Sequence, residues 1–234
     1  NSADGTDGFT TVYPNLNLLT NSRLQSGNIT PFYPINNAVL TINSSVKGLN
    51  VSCSGGAISY QQGVGQGLIP VSAGKQYTIS VKVINTGTVV IDKFLLQFGF
   101  YNSLGTGLDY PNKIFSIPAD GKVYNLSFTY TAPANITSMR VYYLDIATSA
   151  NVAHTFTIYD MKAEEGSTAT PWMPSASEVT TADYPKYVGF CNSIKPNKKS
   201  SDYKWLPMWL ASIDRATGLL EPAVMGIDYA QAHP

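Results

Sequence analysis

Residues 76–85 read QYTISVKVIN. Apolar side chains stand at Tyr77, Ile79, Val81 and Val83, with Thr78, Ser80 and Lys82 between them. Successive side chains of an extended strand point to opposite faces, so this spacing predicts a strand with one buried face and one wet face. The same period of two returns at residues 94–102, FLLQFGFYN, where Phe94, Leu96, Phe98 and Phe100 form the inward set. It returns again in KVYNLSFTY (Tyr124, Leu126, Phe128 and Tyr130 inward) and in SMRVYYLD (Met139, Val141 and Tyr143 inward).

Working outward, the runs NLNLL, NAVLTIN, GLNVSCS, AISYQQ, KIFSIP and AHTFTIYDMKAEE are strand candidates too, divided by turn signals such as SAGK, NTGT and PADGK. Many short strands at regular spacing, with no run of 3.6-residue periodicity among them, predict an all-β antiparallel β-sandwich of jelly-roll type. Composition agrees. Charged residues make up 13% of the chain and only four are Glu, whereas there are 15 Tyr. Helical proteins cover their surfaces with Glu, Lys and Arg; this chain uses neutral polar residues.

The sandwich is expected over 16–175. FTIYDMKAEEG reads as its last strand, with Phe156 and Ile158 inward, and Gly166 lets the chain turn away. Trp172, between Pro171 and Pro174, reads as a plug over one end of the core. The small polar residues of 1–15 form a linker tail. Residues 176–234 are expected to form a linker and a small C-terminal extension, or docking tail, with a partly helical ATGLLEPAVMGIDYAQA.

Several function classes are disfavoured. The 15 basic and 15 acidic residues cancel, so no electrostatic footprint marks a nucleic-acid partner. The short run Lys195, Lys198, Lys199 has Asp202 beside it and reads as a solvated loop. No apolar stretch approaches a membrane span, and no signal peptide opens the chain. Cys53 and Cys191 lie far apart; they read as two buried or inert thiols rather than a bridge, and no Cys/His spacing suggests zinc. The five Asn-x-Ser/Thr matches follow from composition.

Catalysis is not expected. Glycoside hydrolysis needs two facing carboxylates, and here the acids of the sandwich fall in turns or on opposite faces of one strand. Asp145, in parity with the inward set, is the one that could enter a cleft. His154 is expected at a sheet edge, and no GxSxG elbow accompanies it.

Three segments carry a family resemblance: NLLTNSRLQSG, GKQYTISVKV and IYDMKAEEGSTATPW, in that order. Together they resemble the jelly-roll carbohydrate-binding modules of the xylan- and cellulose-binding type, most closely those inserted in tail and baseplate proteins of phages that infect Gram-positive bacteria. The resemblance covers about residues 16–208. It implies a non-catalytic module in the virion tail that adheres to cell-wall polysaccharide or another glycan, with other phage tail proteins as partners. No cofactor is required, although such modules often hold a structural calcium; Asp160 occupies the place of its aspartate ligand.

Outward parity then nominates the sugar-facing residues: Gln61 (if Ile58 and Tyr60 point inward), Lys82, Gln97, Tyr101, Arg140 and Tyr142, beside Ser80 and a side-chain-free Gly99. Phe32, Tyr33 and Tyr110 either rim the groove or, in TPFYP, plug the core. No tryptophan lies between the first strand and Gly166, so any stacking platform is tyrosine or phenylalanine. The alternative is a structural spacer or assembly domain of a tail protein with no sugar site. A third reading is an accessory domain cut from a polysaccharide-degrading enzyme.

Overall fold

The structure is a computed structural model that describes residues 15–24, 27–180 and 183, together with the backbone of four short strands further on. The chain divides into two compact units, 14–179, and 1–13 with 180–234.

The first unit is the sandwich. Its strands are β1 (Phe32–Ile35), β2 (Val39–Asn43), β3 (Gly48–Cys53), β4 (Gln61–Gln66), β5 (Ile69–Pro70), β6 (Gln76–Asn85), β7 (Ile91–Tyr101), β8 (Gly107–Asp109), β9 (Asn112–Ile117), β10 (Val123–Thr131), β11 (Ser138–Ile146) and β12 (His154–Glu165). One sheet runs β1-β4-β11-β7-β8, with β5 against β11 and β9 against β7; the other runs β10-β6-β12-β3-β2. Every strand pairing is antiparallel. The fold is therefore the expected all-β sandwich, and no helix occurs among the described residues.

The inward sets meet between the sheets. Ile79, Val81 and Val83 of β6, and Phe156 and Ile158 of β12, join Phe94, Leu96, Phe98 and Phe100 of β7 and Met139, Val141 and Tyr143 of β11 in one buried cluster. Phe94 meets Phe156 edge-on at 5.3 Å across the layer. β10 covers the core only in part: Leu126 is buried, while Tyr124 and Phe128 are half-buried and Tyr130 is exposed. Cys53 is a buried free thiol whose pKa burial pushes up, with the Asp145 charge adding to the effect. Cys191 lies outside the described residues.

β12 changes parity halfway. Phe156 and Ile158 point inward, and so do Met161 and Ala163. The extra residue is a β-bulge between Tyr159 and Lys162, where Asp160 adopts a φ of 49°. Bulges insert one residue and re-aim those that follow, and Asp tolerates the left-handed region better than most residues. Lys162 and Glu164 thus stand on the outer side of the sheet, yet both are fully buried, because residues 169–171 fold over them. Glu164 accepts hydrogen bonds from the Thr170 backbone amide at 2.8 Å and the Thr170 hydroxyl at 2.6 Å. Lys162 lies 3.2 Å from Glu164 and donates to Pro171 O at 2.8 Å. The EEGSTATPW segment is therefore a strap locked by a buried ion pair.

Other boundaries shift from the sequence reading. NLNLL forms a single parallel bridge, Asn17 to Ser175, rather than a strand. AISY is a turn with Ile58 exposed at 66%, and β4 starts at Gln61. The first unit continues to residue 179: Glu178 binds the Ser22 amide and hydroxyl, the Arg23 amide and the Ser175 hydroxyl.

In the second unit β13 (Tyr187–Phe190) pairs with β14 (Lys204–Pro207), and β15 (Ala211–Ile213) with β16 (Leu220–Pro222). Leu220–Pro222 is thus extended, not helical. The remainder of that segment, His233 and the linker tail at 1–14 lie outside the described residues.

Candidate functional site

The outer face of the first sheet is built on glycine. β4 reads QQGVGQ, with Val64 in the core and Gly63 and Gly65 facing out. Strand register sets Tyr33, Gly65, Tyr142, Gln97 and Asn112 side by side across five strands. Arg140 lies opposite Gly99 and Ser138 opposite Tyr101. A missing side chain in mid-strand permits close approach, and the approaching groups here are tyrosine rings. A Cβ at Gly65 would stand 2.6 Å from Tyr33 Cζ; one at Gly99 would stand 3.0 Å from Tyr142 Cε2 and 3.1 Å from both Tyr101 Oη and Tyr110 Cε1. The tyrosines lie over the backbone of the sheet instead of standing off it.

These rings and one arginine form a single network. Tyr101 Oη and Tyr142 Oη are hydrogen-bonded at 2.8 Å, and Tyr110 Oη donates to Tyr101 Oη at 3.5 Å. The Tyr101 and Tyr110 rings meet edge-on at 6.0 Å. Arg140 Nη1 donates to Tyr33 Oη at 3.2 Å, and its guanidinium carbon lies 5.8 Å from the Tyr33 ring centre and 5.3 Å from that of Tyr101. Gln97 Nε2 donates to Tyr110 O at 3.3 Å. Burial raises the Tyr101 and Tyr142 pKa values, and the bond to Tyr101 raises that of Tyr110. All three are neutral phenols at neutral pH. The face thus offers ring surface, phenol hydroxyls, an amide and a cation, with Tyr110 exposed at 47%.

Five of the nominated residues share this sheet: Gln61, Gln97, Tyr101, Arg140 and Tyr142. Gln61 sits in parity with Gly65 but opposite Ile146, about 13 Å along the strand from the tyrosine row. Tyr33 and Tyr110 belong to the face, whereas Phe32 is in the core.

Lys82 does not join them. It lies on β6, in the other sheet, where Nζ pairs with Asp160 Oδ2 at 2.8 Å. That bond raises the Lys82 pKa against the opposing effect of burial. Alternation says which way a side chain points from its own sheet, and Lys82 and Gln97 both point outward from opposite sheets. The pairing also bears on the calcium that the resemblance implies. An ammonium holds the place of counter-cation to Asp160, and the described residues contain no group of three or more His, Cys, Asp or Glu that could hold a metal ion. A calcium ion at Asp160 would have to displace the Lys82 ammonium.

On that second face a cleft of ≈ 330 Å³ lies between Ser80, Lys82, Asn125, Ser127 and the strap through Trp172. Trp172 is half-buried there and not a plug over the end of the core: its Nε1 donates to Met161 O at 3.3 Å, and the Arg23 guanidinium lies 5.7 Å from its ring centre. The charges lining this cleft are already paired with each other. Asp145 is buried against His154, whose Nδ1 is 2.8 Å from Asp145 Oδ2. It does not open to a cleft, and His154 is 5% exposed inside the sheet rather than at an edge. Burial raises the Asp145 pKa, partly offset by the bond to His154.

The sequence signal for the glycine bed was the GVG of β4, in which two glycines take the same face of one strand; Gly65 was missed because the AISYQQ reading ended before it.

No family model matches the chain, and no curated protein matches it. Solved structures do. A chain of the tripod from the baseplate of bacteriophage Tuc2009 is 26% identical over 88% of this chain and 76% of its own, with a TM-score of 0.58. An arabinose-bound α-L-arabinofuranosidase is 15% identical over 71% of this chain, with a TM-score of 0.51; this chain spans 28% of its length. A xylan-binding domain from Paenibacillus barcinonensis is 14% identical over 68% of this chain and 99% of its own, with a TM-score of 0.49. Solved structures of carbohydrate-binding modules and of phage baseplate and tailspike domains thus stand among those to which this chain is similar.

Proposed function

We propose that this chain is a non-catalytic saccharide-binding module of a phage tail or baseplate, which attaches to cell-wall glycan of the bacterial host through the outer face of the β1-β4-β11-β7-β8 sheet. The observation that carries this reading is the Tyr33–Arg140–Tyr101–Tyr142 cluster seated on Gly65 and Gly99. Ring faces accept the C–H side of a pyranose, while a few oriented donors and acceptors receive its hydroxyls; binding sites combine apolar walls with such polar groups. The rings are held by hydrogen bonds and close packing before a ligand arrives, which lowers the entropic cost of binding. Similarity to a Tuc2009 baseplate chain supports the location. Multiple copies in a tail assembly would turn weak single contacts into firm adhesion.

The test uses the fluorescently labelled 234-residue chain on an array of bacterial cell-wall glycans and on whole bacterial cells. Binding is expected, with Tyr101→Ala and Tyr142→Ala each reducing it at least about ten-fold. Equal binding by these variants would move the site elsewhere. The second reading, an assembly module, is favoured by the same baseplate similarity over 88% of the chain. It predicts a stable complex with another tail protein and no array signal.

A further inference from the structure

Resting on that reading, we propose that the saccharide recognised by the tyrosine face carries an oxyanion, a phosphodiester or a uronate carboxylate, and that Arg140 is its counter-charge. The guanidinium sits between the Tyr33 and Tyr101 rings. Nη1 is committed to Tyr33 Oη, and Nε is out of water with no acceptor. Among the described residues no carboxylate comes within ion-pair distance of it. In the outer-face rows Tyr33–Ile35, Gln61–Gly65, Leu95–Tyr101, Asn112–Ile114 and Ser138–Ile146, Arg140 is the single outward charge.

The opposite sheet shows what this protein does with cations elsewhere. Half-buried Lys82 has Asp160 and fully buried Lys162 has Glu164. Partly desolvating a cation without a partner is unfavourable, so an arginine kept that way is set up to receive charge from outside. A neutral hydroxyl would satisfy a hydrogen bond and leave the charge unpaired. An oxyanion does both, and charge-assisted bonds are roughly twice as strong as neutral ones. The phenols beside Arg140 are neutral and bonded among themselves, Tyr101 to Tyr142 and Tyr142 to Tyr33, so none of them supplies a counter-charge. Because the chain as a whole is neutral, the preference is local to this residue and not a general attraction to polyanions.

The experiment measures binding of the full chain to matched pairs: trigalacturonate against its methyl ester, and maltotriose 6-phosphate against maltotriose. At least one charged member should bind about ten-fold more tightly than its neutral match, and the pair that responds identifies carboxylate or phosphate as the source. Raising NaCl from 0.1 to 1 M, which shortens the Debye length from about 10 to 3 Å, should weaken only the charged member. Arg140→Gln should erase the preference, bringing the charged and neutral members of a pair to equal affinity; Arg140→Lys should retain part of it. Equal affinity within both pairs, or a preference that survives Arg140→Gln, overturns the proposal and leaves the saccharide reading intact. Failure to bind any of the four probes and any cell-wall glycan of the array overturns both.

Discussion

Tyr101 Oη and Tyr142 Oη lie 2.8 Å apart on neighbouring strands, directly above Gly99. The contact exists because position 99 has no side chain. Gly99→Ala would put a methyl group at 3.0–3.1 Å from three tyrosines. The expected outcome is displaced rings and loss of glycan binding at a stability cost of about 1 kcal/mol, since the strand itself accepts alanine. Binding assays beside thermal melts check this; unchanged binding would show that the rings need no glycine bed.

The Lys82–Asp160 pair predicts indifference to chelators. Adding EDTA should leave Tm unchanged, whereas Lys82→Ala should lower stability by about 0.2–1 kcal/mol, the usual range for an exposed ion pair. A chelator-induced drop in Tm would mean that a metal, not the ammonium, neutralises Asp160.

Asp160 also carries the bulge. Asp160→Gly should cost only the lost Lys82 pair, about 0.2–1 kcal/mol, because glycine adopts a φ of 49° freely. Asp160→Val should cost about 1–3 kcal/mol. Urea unfolding distinguishes the two, and equal midpoints would dismiss the bulge as a constraint.

Lys162 and Glu164 are buried together, and removing one partner of such a pair strands the other. Lys162→Met should destabilise by about 3–5 kcal/mol, or roughly 6–20 °C in Tm for a unit of this size. It should also free the strap, read out as proteolytic cleavage within residues 166–172.

Glu178 gives a pH signature. Burial pushes its pKa up, but bonds from the Ser175 hydroxyl, the Arg23 amide and the Ser22 hydroxyl and amide outweigh this and hold it below the ordinary glutamate range. A depressed folded-state pKa contributes stability above the unfolded value, and that contribution disappears as pH falls through the folded one. Glu178→Gln should therefore lower Tm at pH 7 and lose its difference from wild type as the pH falls well below about 4.5. A constant gap across that range would place the effect in packing, not charge.

Much of this architecture could be read from alternation alone. The inward sets of β6, β7 and β11 are buried as their spacing predicts, because period-two burial is a property of each strand by itself. Outward parity likewise nominated Tyr101, Arg140, Tyr142 and Gln97 together. Parity cannot say which of two sheets a strand joins, since that depends on contacts between residues far apart in the chain. Only the folded pairing carried Lys82 to Asp160, brought Tyr33 beside Arg140 across 107 positions, and laid the strap over Lys162 and Glu164. The bulge at Asp160 reversed the faces of half a strand with no apolar signal to mark it, because one inserted residue shifts register without changing composition. Local side-chain chemistry thus determined the sandwich and its candidate face, and long-range strand order decided that Lys82 and Lys162 meet carboxylates while Arg140 lies among tyrosines.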